Sequence, residues 1–213
     1  PPFQRKRLQP PFKQMRNTDY AGNFSDFLAQ SPKEKPFCFW LGTSEPHRGF
    51  ESGAGKRTGK DPSRVIVPPI FPDNDIVRND LLDYFVEIEH FDSQVSRAIA
   101  LLEKSGQLDN TIIVVTSDHG MPFPRAKASL YDDGSRVPLA IRWPKGITKP
   151  GRTINDFINL SDLAPTFLKA AGLKPPSMMT AKSLIPIFEN RLSKNHKAAF
   201  IAMERHDGCR KGG

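Results

Sequence analysis

The chain has 213 residues, 38% of them hydrophobic and 25% charged, with a formal net charge of +8. That length supports one sizeable core, or one and a half small domains, and no apolar run approaches the roughly 20 residues needed to span a bilayer. Arg5, Lys6, Arg7, Lys13 and Arg16 open the chain with no acid among them; the Lys/Arg-and-aromatic pattern of a nucleic-acid binder is not found, so the surplus describes a basic Pro-rich segment and suits anionic small substrates.

In chain order, residues 1–20 are Pro-rich and without a period. The chain opens Pro1-Pro2-Phe3-Gln4-Arg5, with neither an initiator Met nor an apolar leader, and reads as an interior piece of something longer. A short helix is expected over 23–30, ended by Pro32 and Pro36. Pro36-Phe37-Cys38-Phe39-Trp40-Leu41 reads as a core strand closing on Gly42-Thr43, which makes Cys38 a buried free thiol. Cys209, between Gly208 and Arg210-Lys211, lies where cations lower a thiol pKa. No zinc-type cysteine spacing exists.

Ser44-Glu45-Pro46-His47-Arg48-Gly49 follows as a loop just past a strand end, then a polar Gly-rich stretch over 51–64 and an extended, Pro-punctuated one over 65–72. Residues 75–105 carry the clearest helix. Val77, Leu81, Tyr84, Phe85, Ile88, Phe91, Val95, Ala98, Ile99 and Leu102 recur at steps of three and four, with Asn74 or Asp75 as cap and Gly106 as stop. His90 in this helix is expected to be structural, paired with Glu87 or Glu89.

The apolar run Thr111-Ile112-Ile113-Val114-Val115 then reads as a buried strand that delivers Thr116-Ser117-Asp118-His119-Gly120 at its carboxyl end. Asp132-Asp133-Gly134 reads as a turn and Val137 to Trp143 as a strand. Residues 161–171 read as a helix capped by Ser161, with Leu163, Phe167, Leu168 and Ala171 inward, and 198–203 as a last strand. Strands alternating with helices argue for an α/β fold with a largely parallel sheet.

In open α/β sheets ligands bind outside the carboxyl ends of strands. There Asp118 offers a charged oxygen and His119 a neutral nitrogen, two ligands for a hard cation. Lys127 offers a point charge for a sulfate or phosphate oxygen. His47 offers a proton for a leaving group, and Arg48 a bidentate grip on an anion. Glu204-Arg205-His206 forms a third loop of titratable groups after an expected strand.

These residues carry a family resemblance. Ile113-Val114-Val115-Thr116-Ser117-Asp118-His119-Gly120-Met121-Pro122-Phe123-Pro124, then Lys127, Leu130-Tyr131 and Gly134-Ser135-Arg136-Val137-Pro138-Leu139, resembles the second metal-and-sulfate motif of the sulfatases, in the alkaline phosphatase superfamily. Glu45-Pro46-His47-Arg48, the segments Val67-Pro68-Pro69 and Phe71-Pro72-Asp73, Phe91-Asp92 in the long helix, and Asn159-Leu160-Ser161-Asp162-Leu163-Ala164-Pro165-Thr166 bring the pattern nearest the heparan N-sulfatase branch and its bacterial relatives.

The resemblance implies an alkaline-phosphatase-like sandwich, a largely parallel sheet flanked by helices and incomplete at both ends. It implies boundaries of 1–35 for the basic segment and short helix, 36–190 for the C-terminal part of the catalytic domain, and 191–213 for the start of a truncated subdomain. Asp118 and His119 would bind one calcium ion (many members have Asn in place of His119). Lys127 would contact the sulfate, and His47 would contact it or protonate the leaving group. Arg48, Glu204, Arg205 and His206 would line the substrate pocket. The implied partners are a sulfated sugar and a formylglycine-generating maturation enzyme, and the implied location is periplasmic, secreted or lysosomal.

One departure matters. The family nucleophile is a formylglycine made from the Cys or Ser of a Cys/Ser-x-Pro/Ala-x-Arg motif, and neither Cys38, Cys209 nor Asp61-Pro62-Ser63-Arg64 fits it. The expected function is thus a fragment of a calcium-dependent sulfatase acting on sulfate esters or N-sulfates. A phosphodiesterase or phosphonate hydrolase of the same superfamily, or an inactive sulfated-glycan binder, are the alternatives. Residues 1–213 alone, given calcium and a sulfated aryl or amino-sugar substrate, are expected to show no turnover; turnover above background would contradict this.

Overall fold

The computed structural model describes residues 3–191 and 197–202. They form two compact units, 1–108 and 109–213.

The first unit is built on helices α1 (Tyr20–Gln30), α2 (Ala54–Arg57) and α3 (Asp75–Lys104). Helix α1 begins three residues ahead of its expected start. The Asp19 carboxylate accepts from Gly22 N–H at 2.9 Å and caps it. Ala21 and Phe24 are buried, and Ala21 N–H donates to Gln94 Oε1 of α3 at 3.1 Å. The basic segment is strapped to the same helix. Asn23 Oδ1 accepts from Lys6 N–H at 3.0 Å, and Lys6 Nζ pairs with Asp26 at 2.7 Å.

Helix α3 matches its expected span, with Asn74 as cap and Gly106 beyond its end at φ 73°. Its buried stripe differs. Leu81, Leu82, Val86, Ala98 and Leu102 are buried, but so are Asp83, Glu87, His90 and Gln94, whereas Tyr84, Phe85, Ile88, Phe91, Val95 and Ile99 are half-buried. The polar residues are inward because they serve neighbouring backbone. Asp83 accepts from Gly53 N–H at 2.9 Å and Gly55 N–H at 2.8 Å, capping α2 from across the interface. Arg78 pairs with Asp73 at 2.5 Å and also donates to the carbonyls of Pro62 and Val65 at 2.8 and 3.1 Å, fixing the turn after α2.

His90 and Glu87 are not the pair expected. His90 Nε2 is buried with no hydrogen-bond partner, and burial depresses its pKa. Burial raises the Glu87 carboxyl to about 7, and the Glu45 charge pushes the same way.

Residues 36–43 are extended but join no strand, which corrects the expected core strand. Phe37, Phe39 and Leu41 face inward, and Phe37 and Phe39 sit against Phe24 and Phe27 with ring centroids 4.8–6.3 Å apart. The alternate residues face out. Cys38 is exposed, not buried, and Trp40 is 88% exposed. The segment alternates in exposure as a strand does, but a strand also needs a backbone partner, and none exists among the described residues.

The second unit holds strands β1 (Ile113–Thr116) and β2 (Leu139–Arg142), with short helices α4 (Asp132–Ser135), α5 (Leu163–Ala170) and α6 (Ile185–Phe188). The strands pair antiparallel, Ile113 opposite Arg142 and Thr116 opposite Leu139, so the parallel order expected from the alternation is not carried by these two. β1 is half-buried throughout. Asp132-Asp133-Gly134 forms α4, where a simple turn was expected: Ser135 and Arg136 N–H bond back to the carbonyls of Tyr131 and Asp132.

Leu184, Ile187 and Phe188 make a small core with Ile141, Trp143, Ile147, Ile158 and Leu163 packed on it. Helix α5 presents Pro165 and Thr166 inward, while Phe167 and Ala171 lie exposed, against expectation. Its entry is set by Asp162, fully buried, whose carboxylate accepts from Asn159 N–H at 3.1 Å and Lys182 N–H at 2.9 Å. That Asn159/Asp162 box replaces the expected Ser161 cap. Residues 198–202 form no strand, and Met203 lies outside the described residues.

Two outcomes follow for the first unit. A Cβ on Gly55 would sit 2.4 Å from Leu82 Cβ and 2.7 Å from its backbone carbon. Gly55→Ala is therefore expected to cost about 1–3 kcal/mol in urea unfolding. Because the Glu87 pKa is raised on folding, the native state keeps a proton that the unfolded chain has lost. Its contribution to stability thus falls as pH rises from the model-compound value of 4.5 to about 7. Glu87→Gln should gain on the parent by roughly 2–3 kcal/mol between about pH 4 and about pH 8, and the same stability difference at both pH values would contradict this.

Candidate functional site

The site residues divide between the units: His47 and Arg48 in the first, Asp118, His119 and Lys127 in the second. Each group is built by its own loop.

In the second unit, β1 ends at Thr116, whose hydroxyl donates to Pro138 O at 2.7 Å. The chain then turns through Ser117–Gly120. Ser117 Oγ donates to His119 O at 2.7 Å, and Gly120 N–H donates to Gly134 O at 2.9 Å. A Cβ on Gly120 would lie 1.7 Å from Asp133 O, so only glycine allows the two backbones to meet.

That turn sets Asp118 and His119 side by side, with His119 Nε2 3.7 Å from Asp118 Oδ2. His119 Nδ1 lies 2.8 Å from Gly120 O. A carbonyl only accepts, so Nδ1 carries the proton and Nε2 of the neutral ring presents its lone pair. The Asp118 side chain is 86% exposed, and among the described residues His119 is the group within ion-pair distance of it. Two ligands of one hard cation at about 2.3–2.6 Å, at right angles, stand roughly 3.3–3.7 Å apart. The 3.7 Å spacing is compatible with two ligands on one shared cation, the carboxylate supplying the charge. Among the described residues no group of three or more His, Cys, Asp or Glu is gathered for a metal.

Lys127 follows on a loop fixed by its own N–H bonding to Met121 O at 3.0 Å and by the burial of Phe123 and Ala126. Arg125 and Ala128, on either side, adopt positive φ of 64° and 62°. Non-glycine residues held there are uncommon and signal a loop fixed by its surroundings. No ion pair engages Lys127 among the described residues.

In the first unit, His47 is exposed on a turn closed by its N–H bonding to Ser44 O at 2.8 Å. Its Nδ1 lies 2.9 Å from Arg48 O, which again leaves Nε2 as the outward nitrogen. Arg48 makes a bidentate pair with Asp80 of α3, 3.1 and 2.5 Å, and its guanidinium lies 5.0 Å from the centre of the Phe50 ring. Arg48, expected to line the substrate pocket, is engaged by Asp80, and this pair ties the turn to α3. Sequence reasoning missed Asp80, which lies 32 residues from Arg48 in the chain. Glu204, Arg205, His206 and Cys209 lie outside the described residues.

The sulfatase family model matches residues 2–173, and the chain belongs to the sulfatase family. It is 34% identical over 145 residues to an ulvan-active sulfatase of Formosa agariphila, covering 68% of this chain and 24% of that protein. It is 27% identical over 190 residues to the N-sulphoglucosamine sulphohydrolase of Homo sapiens, covering 75% and 38%. A structure solved with its substrate D-glucosamine-2-N,6-O-disulfate matches at TM-score 0.54 and 34% identity, over 68% of this chain and 30% of that one. A phosphonate monoester hydrolase from Silicibacter pomeroyi matches at TM-score 0.51 and 27% identity, over 67% and 29%. The fold is the alkaline-phosphatase-like one of the sulfatases, and the chain spans well under half the length of the relatives it matches. No described helix is long and apolar enough to cross a membrane.

Gly120→Ala is expected to force the Asp118 turn off the Gly134 backbone and cost about 1–3 kcal/mol, with a parallel loss of calcium-dependent thermal stabilisation in the intact protein. Unchanged calcium stabilisation would contradict this geometry.

Proposed function

We propose that this chain is part of a calcium-dependent sulfatase that cleaves sulfate esters or N-sulfates on sulfated sugars. The observation that carries the reading is the Asp118–His119 pair, 3.7 Å apart with Nε2 left as a lone pair, in a chain of the sulfatase family. A glucosamine-disulfate complex and a sulphoglucosamine sulphohydrolase among the relatives support an amino-sugar substrate.

Asp118 Oδ and His119 Nε2 would hold the calcium ion. When bound, that ion supplies positive charge to the sulfuryl oxygens. Lys127 Nζ adds a second, fixed charge to the same oxygens and favours the transition state over water. His47 would act in its doubly protonated form: with Nδ1–H held by Arg48 O, it would give up the second proton from Nε2. As the S–O or S–N bond breaks, that proton passes to the departing oxygen or nitrogen. The described residues do not fit the formylglycine position, since Cys38 stands in Phe-Cys-Phe-Trp, and no step is assigned through that group. Residence in the periplasm, the lysosome or outside the cell belongs to the same proposal.

A phosphonate or phosphodiester hydrolase is the second reading, favoured by the phosphonate monoester hydrolase match. The test is kcat/KM of the intact protein on 6-O- or N-sulfated glucosamine against an aryl phosphonate monoester. The sulfated sugar should be preferred, and Asp118→Asn and Lys127→Ala should each lower its kcat/KM by about 100-fold or more. Preference for the phosphonate would replace the first reading with the second.

A further inference from the structure

The turn that carries His47 stands on a buried carboxylate. Glu45 is 5% exposed. Its Oε1 accepts from Arg16 N–H at 2.7 Å and its Oε2 from Tyr20 O–H at 2.9 Å. The Tyr20 oxygen in turn accepts from Ser44 N–H at 3.0 Å. Thr43 Oγ1 donates to Glu45 O at 2.8 Å, and Ser44 O accepts from His47 N–H at 2.8 Å. A continuous set of hydrogen bonds therefore runs from α1 and the segment before it, through Glu45, to the backbone of His47. On the far side Arg48 is tied to Asp80. His47 is the exposed residue between these two anchors.

The need for a carboxylate is chemical. Only an ionised acid offers acceptors on both oxygens; an amide turns one of them into a donor facing another donor. Glu45 forms no ion pair among the described residues. Asp83 is likewise buried on neutral donors; what sets Glu45 apart is that its donors hold the turn that carries His47. The charged and titratable groups around it are Tyr20 of α1, and Glu87, His90 and Arg97 of α3.

We propose that Glu45, acting with Tyr20, is a positioning residue for His47: it fixes the 44–48 turn so that His47 Nε2 meets the leaving group. This rests on the assignment of His47 as proton donor. Glu45 touches neither substrate nor metal in this account. It acts only through the backbone of the turn, and its effect is confined to the step in which His47 moves a proton.

The test is kinetic, on the intact protein. Glu45→Gln and Tyr20→Phe are each compared with His47→Ala on two substrates. One is a sulfated glucosamine, whose leaving group needs a proton; the other is an aryl sulfate whose phenolate leaves without one. Each substitution should lower kcat on the sugar about tenfold and on the aryl sulfate by less than about twofold. In a His47→Ala background neither should add a further loss, because both act through the same group. Equal losses on both substrates, or a full further loss in the His47→Ala background, would overturn the positioning role. A His47→Ala variant with unchanged kcat on the sugar would instead sink the assignment of His47, and the positioning role with it. Should Glu45→Gln fail to fold, Tyr20→Phe decides alone, since it keeps the ring in place.

Discussion

The contact between the backbones of Gly120 and Gly134 decides what the second unit can present. Gly120 N–H reaches Gly134 O at 2.9 Å, and no side chain fits at Gly120. That contact holds the turn after β1 tightly enough for Gly120 O to accept a hydrogen bond from His119 Nδ1–H. The tautomer of the imidazole, and so its ability to bind a cation through Nε2, follows from backbone geometry. Asp118 needs only to stand beside it.

The first unit solves a similar problem with different means. His47 also has Nδ1 against a carbonyl, but its turn is held by side chains from other elements, Glu45 on one flank and Asp80 on the other. Burial raises the nearby Glu87 carboxyl to about 7, and the Glu45 charge adds to the rise. Two carboxyls close together in a site of low polarity do not both ionise readily, so Glu87 keeps its proton at a pH where an exposed glutamate has lost it. Burial pushes the His90 pKa down, against the upward pull of the Glu45 charge.

Much of this was legible in the sequence. The period of α3 and its caps, the β-branched run of β1 and the Asp118-His119-Gly120 turn were read where they stand. The family resemblance, drawn from residues 37 onward, agrees with the family model. What was not legible depended on distant partners. Residues 36–43 have the alternation of a strand, but pairing is a property of two segments. Glu87, His90 and Gln94 have no local mark that separates a buried polar residue from a solvated one; the helical pattern placed Ile88 and Phe91 inward instead. Arg48 was read by its chemistry and not by its nearest acid, 32 residues away in α3. Asp132 to Gly134 carry turn residues, yet backbone bonds to Tyr131 and Asp132 close them into a helical turn.

The central claim is that Asp118 and His119 together hold a calcium ion. Isothermal titration of calcium into the intact protein and into its Asp118→Asn variant tests it most directly. The account expects one saturable site in the parent and its loss, or at least a tenfold or so weakening, in the variant. Equal binding by both proteins, or no binding by the parent, would contradict it.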